Sequence, residues 1–151
     1  ALRLGYIVAP PALRDAFRAV KWLADRGSPP LEQQAVAALL ESGAYESTRR
    51  RNVRALTAKR DAIVRAIADH FAPDEAIATG AASGTHIFLR FPRQHDDARV
   101  IETARAHGVS VYSARPYYHR PPRHVALILG YTTLTESAIR EGIRRLARSI
   151  A

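Results

Sequence analysis

Arginine side chains are the residues of this 151-residue sequence with the clearest potential for chemistry. Lys21 and Lys59 are the only lysines among 23 basic residues, so guanidinium groups carry nearly all of the positive charge. A guanidinium donates two parallel, charge-assisted hydrogen bonds to a carboxylate or a phosphate. The sequence therefore predicts anion recognition at three places, which are Arg3, the run Arg49-Arg50-Arg51 with Arg54, and the segment 113–123 with Arg115, Arg120 and Arg123.

All three places have an alternative interpretation, which for Arg3 is that it merely caps the end of a strand. The run at Arg49–Arg51 falls in the first turns of a long predicted helix, where the helix dipole disfavours exposed cations by about 0.3–1 kcal/mol each. An acidic group from a neighbouring segment, a partner subunit or a ligand would relieve this cost, and the alternative is a solvated cluster. In segment 113–123, arginines alternate with Tyr117, Tyr118 and His119. Such a loop suits carboxylates, phosphates or stacked bases, and the alternative is again a solvated loop.

Other kinds of catalytic site are excluded or disfavoured. The sequence has no cysteine, which excludes a disulfide framework, a thiolate zinc site and a cysteine nucleophile. The six histidines show no metal-binding helix pair, so no metal site is expected. Gly-x-Ser-x-Gly, Gly-x-Gly-x-x-Gly and Walker motifs are absent, and Asp96-Asp97 is best explained as a helix start. The spacing of residues therefore predicts no complete active site.

The overall positive charge has two possible explanations. A net charge of +9 is typical of proteins that bind nucleic acid or another polyanion, but the near absence of lysine weakens that interpretation and favours the alternative, a solvated basic surface. No apolar run approaches the roughly 18 residues of a membrane span, and no secretory leader is recognisable, so a cytoplasmic location is expected. Because the sequence has no methionine, we expect a processed product or a piece of a longer protein.

The first half of the chain is predicted to be mainly helical. An apolar run at residues 2–8 predicts a strand. A helix then begins at Pro11 and ends at Gly27. Ser28 is the predicted N-cap of a second helix over residues 31–42, which Gly43 ends. Residues 45–71 lack glycine and proline and predict one long helix of about 25 residues.

The second half of the chain is predicted to form a small sheet with helices. Strands are predicted at 86–91, 109–112 and 124–129, and helices at 96–107 and after a capping box at 133–136. The segments 81–85 and 113–123 are predicted to be a turn and a loop. The last two strands are joined too closely for a crossover helix and should be antiparallel. The predicted class is α+β, a mixed α/β layer in which helices cover one face of a small β-α-β-β-α sheet.

A series of short motifs resembles one protein family. Arg3-Leu-Gly-Tyr6 followed by Ile-Val-Ala-Pro resembles the segment after the cofactor lysine of fold-type I pyridoxal-phosphate enzymes. More specifically, the chain resembles the aminotransferase-like domain of MocR-type regulators of the GntR superfamily. The supporting matches are Gln33-Gln34, Gly43-Ala-Tyr45, Arg50-Arg51 with Arg54 and Arg60-Asp61, Gly84-Thr-His86, Gly108-Val-Ser-Val111, Leu129-Gly130-Tyr131 and the helix at 139–147.

The resemblance implies that this chain is the C-terminal portion of a domain that senses pyridoxal phosphate or an amino-compound effector. Residues 1–9 would be a strand remnant of the large domain, 10–71 interdomain helices and 80–151 the small C-terminal domain. Arg3 would bind the cofactor phosphate, and Arg123 is the nearest candidate for an effector carboxylate. The intact protein would bind DNA through a separate N-terminal domain and would form a homodimer or higher oligomer.

The sequence departs from this family in ways that bear on catalysis. The Schiff-base lysine that the resemblance implies is missing, since Lys21 and Lys59 fall within helical patterns. Strand 124–129 also lacks the arginine with which related aminotransferases bind the substrate carboxylate. The chain is therefore expected to be non-catalytic alone and not to bind pyridoxal phosphate by itself. The alternatives are a fragment of a genuine aminotransferase and a free-standing basic domain that binds nucleic acid.

Overall fold

The computed structural model of the chain describes residues 4–80 and 84–150. It divides into two units, Ala1–Arg51 and Asn52–Ala151. Among the described residues, no helix is both long enough and apolar enough to cross a membrane.

The first unit consists of helices. After a single 3₁₀ turn at Pro11–Leu13 come α1 (Arg14–Asp25) and α2 (Pro30–Glu41), and the first residues of α3 (Ala44–His70) complete the unit. Gly43 has a φ of +72°, a left-handed conformation that glycine adopts without steric cost and that separates α2 from α3. None of the residues of α1 and α2 is buried.

Two predictions in this half need correction. The strand predicted at 2–8 is wrong over its described part, because residues 4–10 form no regular structure and pair with no other strand. An apolar run becomes a strand only where a partner satisfies its backbone hydrogen bonds. The predicted cap of α2 is also wrong, since Pro29 is extended and Pro30 is the first helical residue. A proline restricts the residue before it to extended backbone, so Pro29 stays outside the helix and Ser28 is not the cap.

The second unit contains a four-stranded antiparallel sheet. Its strands are β1 (Ile77–Thr79), β2 (His86–Phe91), β3 (Tyr112–Ser113) and β4 (Val125–Gly130), in the order β1-β2-β4-β3. Helix α4 (Asp97–Ala106) follows β2, and α5 (Glu136–Ile150) follows β4. The antiparallel pairing predicted for the last two strands is confirmed.

The core lies on one face of this sheet. Ile87, Leu89 and Phe91 of β2 are buried and lie opposite three buried residues of β4, which are Leu129, Leu127 and Val125. The helices contribute buried residues to the same cluster: Ala62, Ile63, Ala66 and Ile67 from α3, Val100 and Ala104 from α4, and Ile139, Ile143 and Leu146 from α5. Phe88, Arg90 and Ile128, which point to the other face, are only partly buried. The predicted α+β class is therefore confirmed.

Three details of the second unit differ from the sequence-based expectation. Strand β1 was not predicted, because three residues are too few for an alternation pattern to be read. Strand β3 is shorter and later than 109–112, since the backbone N–H of Val109 donates to Ala104 O at the end of α4. Thr135, not Thr133, caps α5 by accepting a hydrogen bond from Ala138 N at 3.2 Å. By contrast, the start of α4 is confirmed, because Asp96 Oδ1 accepts from Arg99 N at 3.0 Å.

Candidate anion-binding site

The arginine cluster at the start of α3 has an acidic neighbour on its own helix. Arg49 donates from Nε and Nη2 to the two carboxylate oxygens of Glu46, each at 2.7 Å, and Arg50 lies 3.8 Å from the same carboxylate. The hydrogen bonds from Arg49 hold the pKa of Glu46 below its usual value. Among the described residues Arg51 and Arg54 form no ion pair. Glu46, which lies in the first turn of α3 itself, thus pairs with two of the four arginines, and the expected acidic group from a neighbouring segment, a partner subunit or a ligand stays a prediction.

The arginines of segment 113–123 have different environments. Arg115 Nη2 lies 3.5 Å from Asp97 Oδ1, and its backbone N–H donates to Ser113 Oγ at 3.0 Å. Ser113 in turn donates from Oγ to the other oxygen of Asp97. This network fixes the 3₁₀ turn Arg115–Tyr117 beside the start of α4, so Arg115 already has its carboxylate. The prediction that Arg115 recognises an external anion is therefore not supported by its contacts.

Arg120 and Arg123 are exposed to solvent and are not held by Asp97. The main chain at Arg123 is fixed, because its carbonyl oxygen lies 3.0 Å from His95 Nδ1. No contact of the Arg123 side chain tests its predicted role toward an effector carboxylate, and that role stays a prediction. Arg3, the predicted phosphate ligand, lies outside the described residues, so its role also stays a prediction.

Both lysines have structural partners. Lys59 Nζ donates to the carbonyl oxygen of Thr132 at 2.6 Å, and Lys21 Nζ pairs with Asp25 Oδ2 at 2.6 Å. A lysine that bonds covalently to a carbonyl compound must present its amine to that compound. Within the described residues neither amine is placed for this, so they do not fit pyridoxal phosphate as a covalently held group.

Sequence reasoning missed Arg90, which is the only charged residue in the four strands as described. Arg90 is partly buried on β2, and its Nε atom is buried without a hydrogen-bond partner. The alternation within His86–Phe91 could have identified it, since Arg90 must share a face with Phe88 and not with the core residues Leu89 and Phe91. The family resemblance directs attention to strand 124–129 instead.

One cleft of about 160 Å³ lies between the end of α3, the end of β2 and the end of α5. Phe71 and Phe91 form an edge-to-face pair in its wall, with ring centroids 5.5 Å apart. Arg93, another wall residue, is paired with Asp74. The single arginine in the wall of this cleft is already paired with a carboxylate, so the cleft is not a further candidate for anion binding. Among the described residues, no group of three or more His, Asp or Glu side chains could hold a metal ion.

Comparison with known proteins shows what this arrangement is similar to. No family model matches the chain. The chain is 33% identical over 148 residues to the probable rhizopine catabolism regulatory protein MocR of Rhizobium meliloti, covering 96% of this chain and 29% of that protein. It is 29% identical over 150 residues to the HTH-type transcriptional regulator TauR of Rhodobacter capsulatus, covering 99% of the chain and 31% of the regulator. It is also 28% identical over 149 residues to the 2-aminoadipate transaminase of Thermus thermophilus, covering 99% of the chain and 37% of the enzyme.

Solved structures give the same result for the fold. The α-aminoadipate aminotransferase LysN of Thermus thermophilus, crystallised with N-(5'-phosphopyridoxyl)-L-leucine, matches 99% of this chain and 38% of its own, with a TM-score of 0.83 and 28% identity. The multiple substrate aminotransferase of Thermococcus profundus matches 94% of this chain and 35% of its own, with a TM-score of 0.84 and 24% identity. The chain thus spans about a third of these proteins. The resemblance to the C-terminal part of the aminotransferase-like domain of MocR-type regulators is confirmed by these matches.

Proposed function

We propose that this chain is the C-terminal portion of the effector-sensing, aminotransferase-like domain of a transcriptional regulator, and that it does not catalyse a reaction by itself. The observation that carries this proposal is similarity along nearly the whole chain to proteins named as regulators, combined with an aminotransferase fold. The engagement of both lysines supports the non-catalytic part, because Lys59 holds a backbone carbonyl and Lys21 holds a carboxylate.

The intact protein is proposed to bind pyridoxal phosphate. The support is the fold shared with LysN, which was crystallised with a phosphopyridoxyl compound. Arg3 would donate to the cofactor phosphate through its guanidinium fork, so titration of the intact protein and its Arg3→Ala variant with pyridoxal phosphate tests this role. The lysine for covalent attachment would have to come from outside the described residues, since Lys21 and Lys59 are engaged elsewhere.

The ligand that regulates the protein is proposed to be a small amino compound, with Arg123 as one contact to its carboxylate. The exposed guanidinium of Arg123 and the fixed main chain at this residue are compatible with that role. DNA would be bound by a separate N-terminal domain, as the relatives named HTH-type regulators suggest. Such a protein would act in the cytoplasm.

The first unit supports the proposal that the protein self-associates. Large apolar side chains of α1 are exposed, with 62% of Trp22 and 84% of Leu23 accessible. Leu31 and Leu40 of α2 are exposed as well. Exposed apolar surface of this extent favours association with another protein surface. A homodimer or higher oligomer would bury it.

A second candidate function is that of a genuine aminotransferase. The specific observation in its favour is the match to the 2-aminoadipate transaminase of Thermus thermophilus. The sequence of the parent protein upstream of residue 1 separates the two candidates. A winged-helix domain far upstream of a cofactor lysine supports the regulator, whereas a chain that begins with the aminotransferase fold supports the enzyme. An assay of the purified parent for amino-group transfer from 2-aminoadipate completes the test, and turnover without DNA binding would contradict the regulator.

A further inference from the structure

We infer that Arg90 and His124 form a site for the carboxylate of a small ligand, at the end of the sheet where β2 ends and β4 begins. Arg90 is the next-to-last residue of β2, and His124 immediately precedes β4. Ala126 relates the two positions. It lies directly opposite Arg90 in the β2–β4 register, and His124 precedes it by two residues, so the alternation along the strand, continued to the residue before β4, places His124 and Arg90 on the same face. The inference rests on the proposed function and deepens it, because it names two further residues that would bind the effector carboxylate in addition to Arg123.

The first observation is that each residue has a buried nitrogen without a hydrogen-bond partner. Arg90 Nε and His124 Nε2 are two of the three such side-chain atoms among the described residues. The third, Asp97 Oδ1, faces the guanidinium of Arg115 at 3.5 Å. A buried polar group without a partner is destabilising, and more so when it is charged. Two such atoms at one end of one sheet indicate that an acceptor belongs there.

The second observation is that the two residues paired with Arg90 in the adjacent strands offer no acceptor side chain. In the sheet register Arg90 lies between Ile77 of β1 and Ala126 of β4, both apolar. Three acidic residues of the second unit have other partners: Asp97 is bound to Arg115 and Ser113, Asp74 is bound to Arg93, and Glu75 accepts a hydrogen bond from Ala72 N. Among the described residues Arg90 therefore forms no ion pair.

The chemistry of the two groups points to a carboxylate. Nε and one Nη of a guanidinium form a fork whose spacing matches the two oxygens of a carboxylate. The Nε2–H tautomer of His124 supplies one further donor to the same oxyanion. Arg90 is partly exposed as a residue, whereas its Nε and the Nε2 of His124 are buried, so binding requires these side chains to shift until the oxyanion reaches the two nitrogens.

Nuclear magnetic resonance on the 151-residue chain tests this inference with glutarate as the probe. The Nε–Hε signal of Arg90 and the ring signals of His124 are followed during the titration at constant pH and ionic strength. Both should move together and reach saturation. The Arg90→Lys variant keeps the charge but loses the fork, and its affinity should fall by about 10- to 150-fold. The Arg105→Gln variant, which removes an exposed arginine of α4, should bind glutarate as the unaltered chain does.

Inorganic phosphate distinguishes a carboxylate site from general anion binding. At equal ionic strength it should bind more weakly than glutarate, and saturation at the same concentration would overturn the carboxylate assignment. Absence of saturation with glutarate, or equal loss of affinity in Arg105→Gln, would overturn the site. Because the titration contains neither DNA nor pyridoxal phosphate, its failure is distinct from a failure of the proposed regulatory function.

Discussion

Lys59 Nζ donates a hydrogen bond of 2.6 Å to the carbonyl oxygen of Thr132, which joins α3 to the loop between β4 and α5. The contact is partly buried and connects residues that are far apart in the sequence. It gives the lysine a structural task in the second unit and removes it as a candidate for covalent cofactor chemistry.

The chain is expected to form no stoichiometric covalent adduct with pyridoxal phosphate. Lys59 is held by the carbonyl oxygen of Thr132, and Lys21 lies within a helix and pairs with Asp25 at an exposed position, so neither is positioned at a cofactor site for imine formation. The measurement is reduction with borohydride in the presence of pyridoxal phosphate, followed by mapping of the labelled peptides. One equivalent of label on either lysine would contradict the structural roles of these two side chains.

Removal of the Lys59 amine should lower the stability of the second unit. Hydrogen bonds from charged donors are worth about 1.5–3 kcal/mol, so Lys59→Met should reduce the free energy of unfolding by up to that amount. The measurement is urea unfolding followed by the amide signals of β4. Lys21→Met is the matched control, because Lys21 pairs with Asp25 at an exposed position and such pairs contribute little. If Lys59→Met and Lys21→Met lower the free energy of unfolding equally, Lys59 has no special structural role.

The stability of α5 should depend on pH through Glu141. Hydrogen bonds from Arg144 and then Arg145 lower the pKa of Glu141 to about 2. A carboxyl group whose pKa is lowered by folding stabilises the folded state above its unfolded value, near 4.5, and loses that contribution as the pH falls toward 2. Glu141→Gln should therefore lower the melting temperature at pH 7, and the difference should shrink below pH 4.5 and be largely lost by pH 2.

Salt and a second variant provide the controls for Glu141. The effect should weaken at high salt, because the ion pairs are exposed. Glu102→Gln in α4 is the matched control and should change the melting temperature at pH 7 little, since Glu102 has no ion-pair partner in the part of the chain that the structure describes. A difference for Glu141→Gln that does not vary with pH would show that the ion pairs are not its cause.

Self-association should change the environment of Trp22. This residue is the only tryptophan of the sequence and lies on α1 with 62% of its surface accessible. Its fluorescence should shift to shorter wavelength as concentration rises, in parallel with light scattering. Leu23→Glu should shift this transition to higher concentration, because Leu23 is even more exposed on the same helix. A monomer at all concentrations would exclude association through this unit.

The parts of the fold that are predictable from the sequence are those with local signals. Strand β2 agrees residue for residue because His86–Phe91 is rich in β-formers and Pro92 ends it. The start of α4 follows from the Asp96 cap. The predictions that failed depend on partners distant in the sequence: an apolar run at 2–8 needs a neighbouring strand, and β1 is recognisable only once β2 lies beside it.

The same distinction applies to the candidate site. Arg115 and Arg123 look alike in the sequence, but Arg115 is bound to Asp97 from another element while the Arg123 side chain is exposed. Arg90 was missed because the alternation within β2 shows only which face it shares, whereas its significance depends on apolar neighbours in two adjacent strands, Ile77 and Ala126. Such cross-strand neighbours are set by the sheet register, which no local motif specifies.

In the proposed function, this chain senses a ligand and another part of the protein binds DNA. The direct test is fluorescence anisotropy with DNA from upstream of the parent gene, comparing the intact protein with the 151-residue chain alone. The intact protein should bind this DNA in preference to unrelated DNA and should respond to pyridoxal phosphate. The chain alone should bind both DNAs weakly and lose this binding steeply as salt rises. Tight, sequence-selective binding by the chain alone would contradict the proposed function and establish a basic nucleic-acid-binding domain instead.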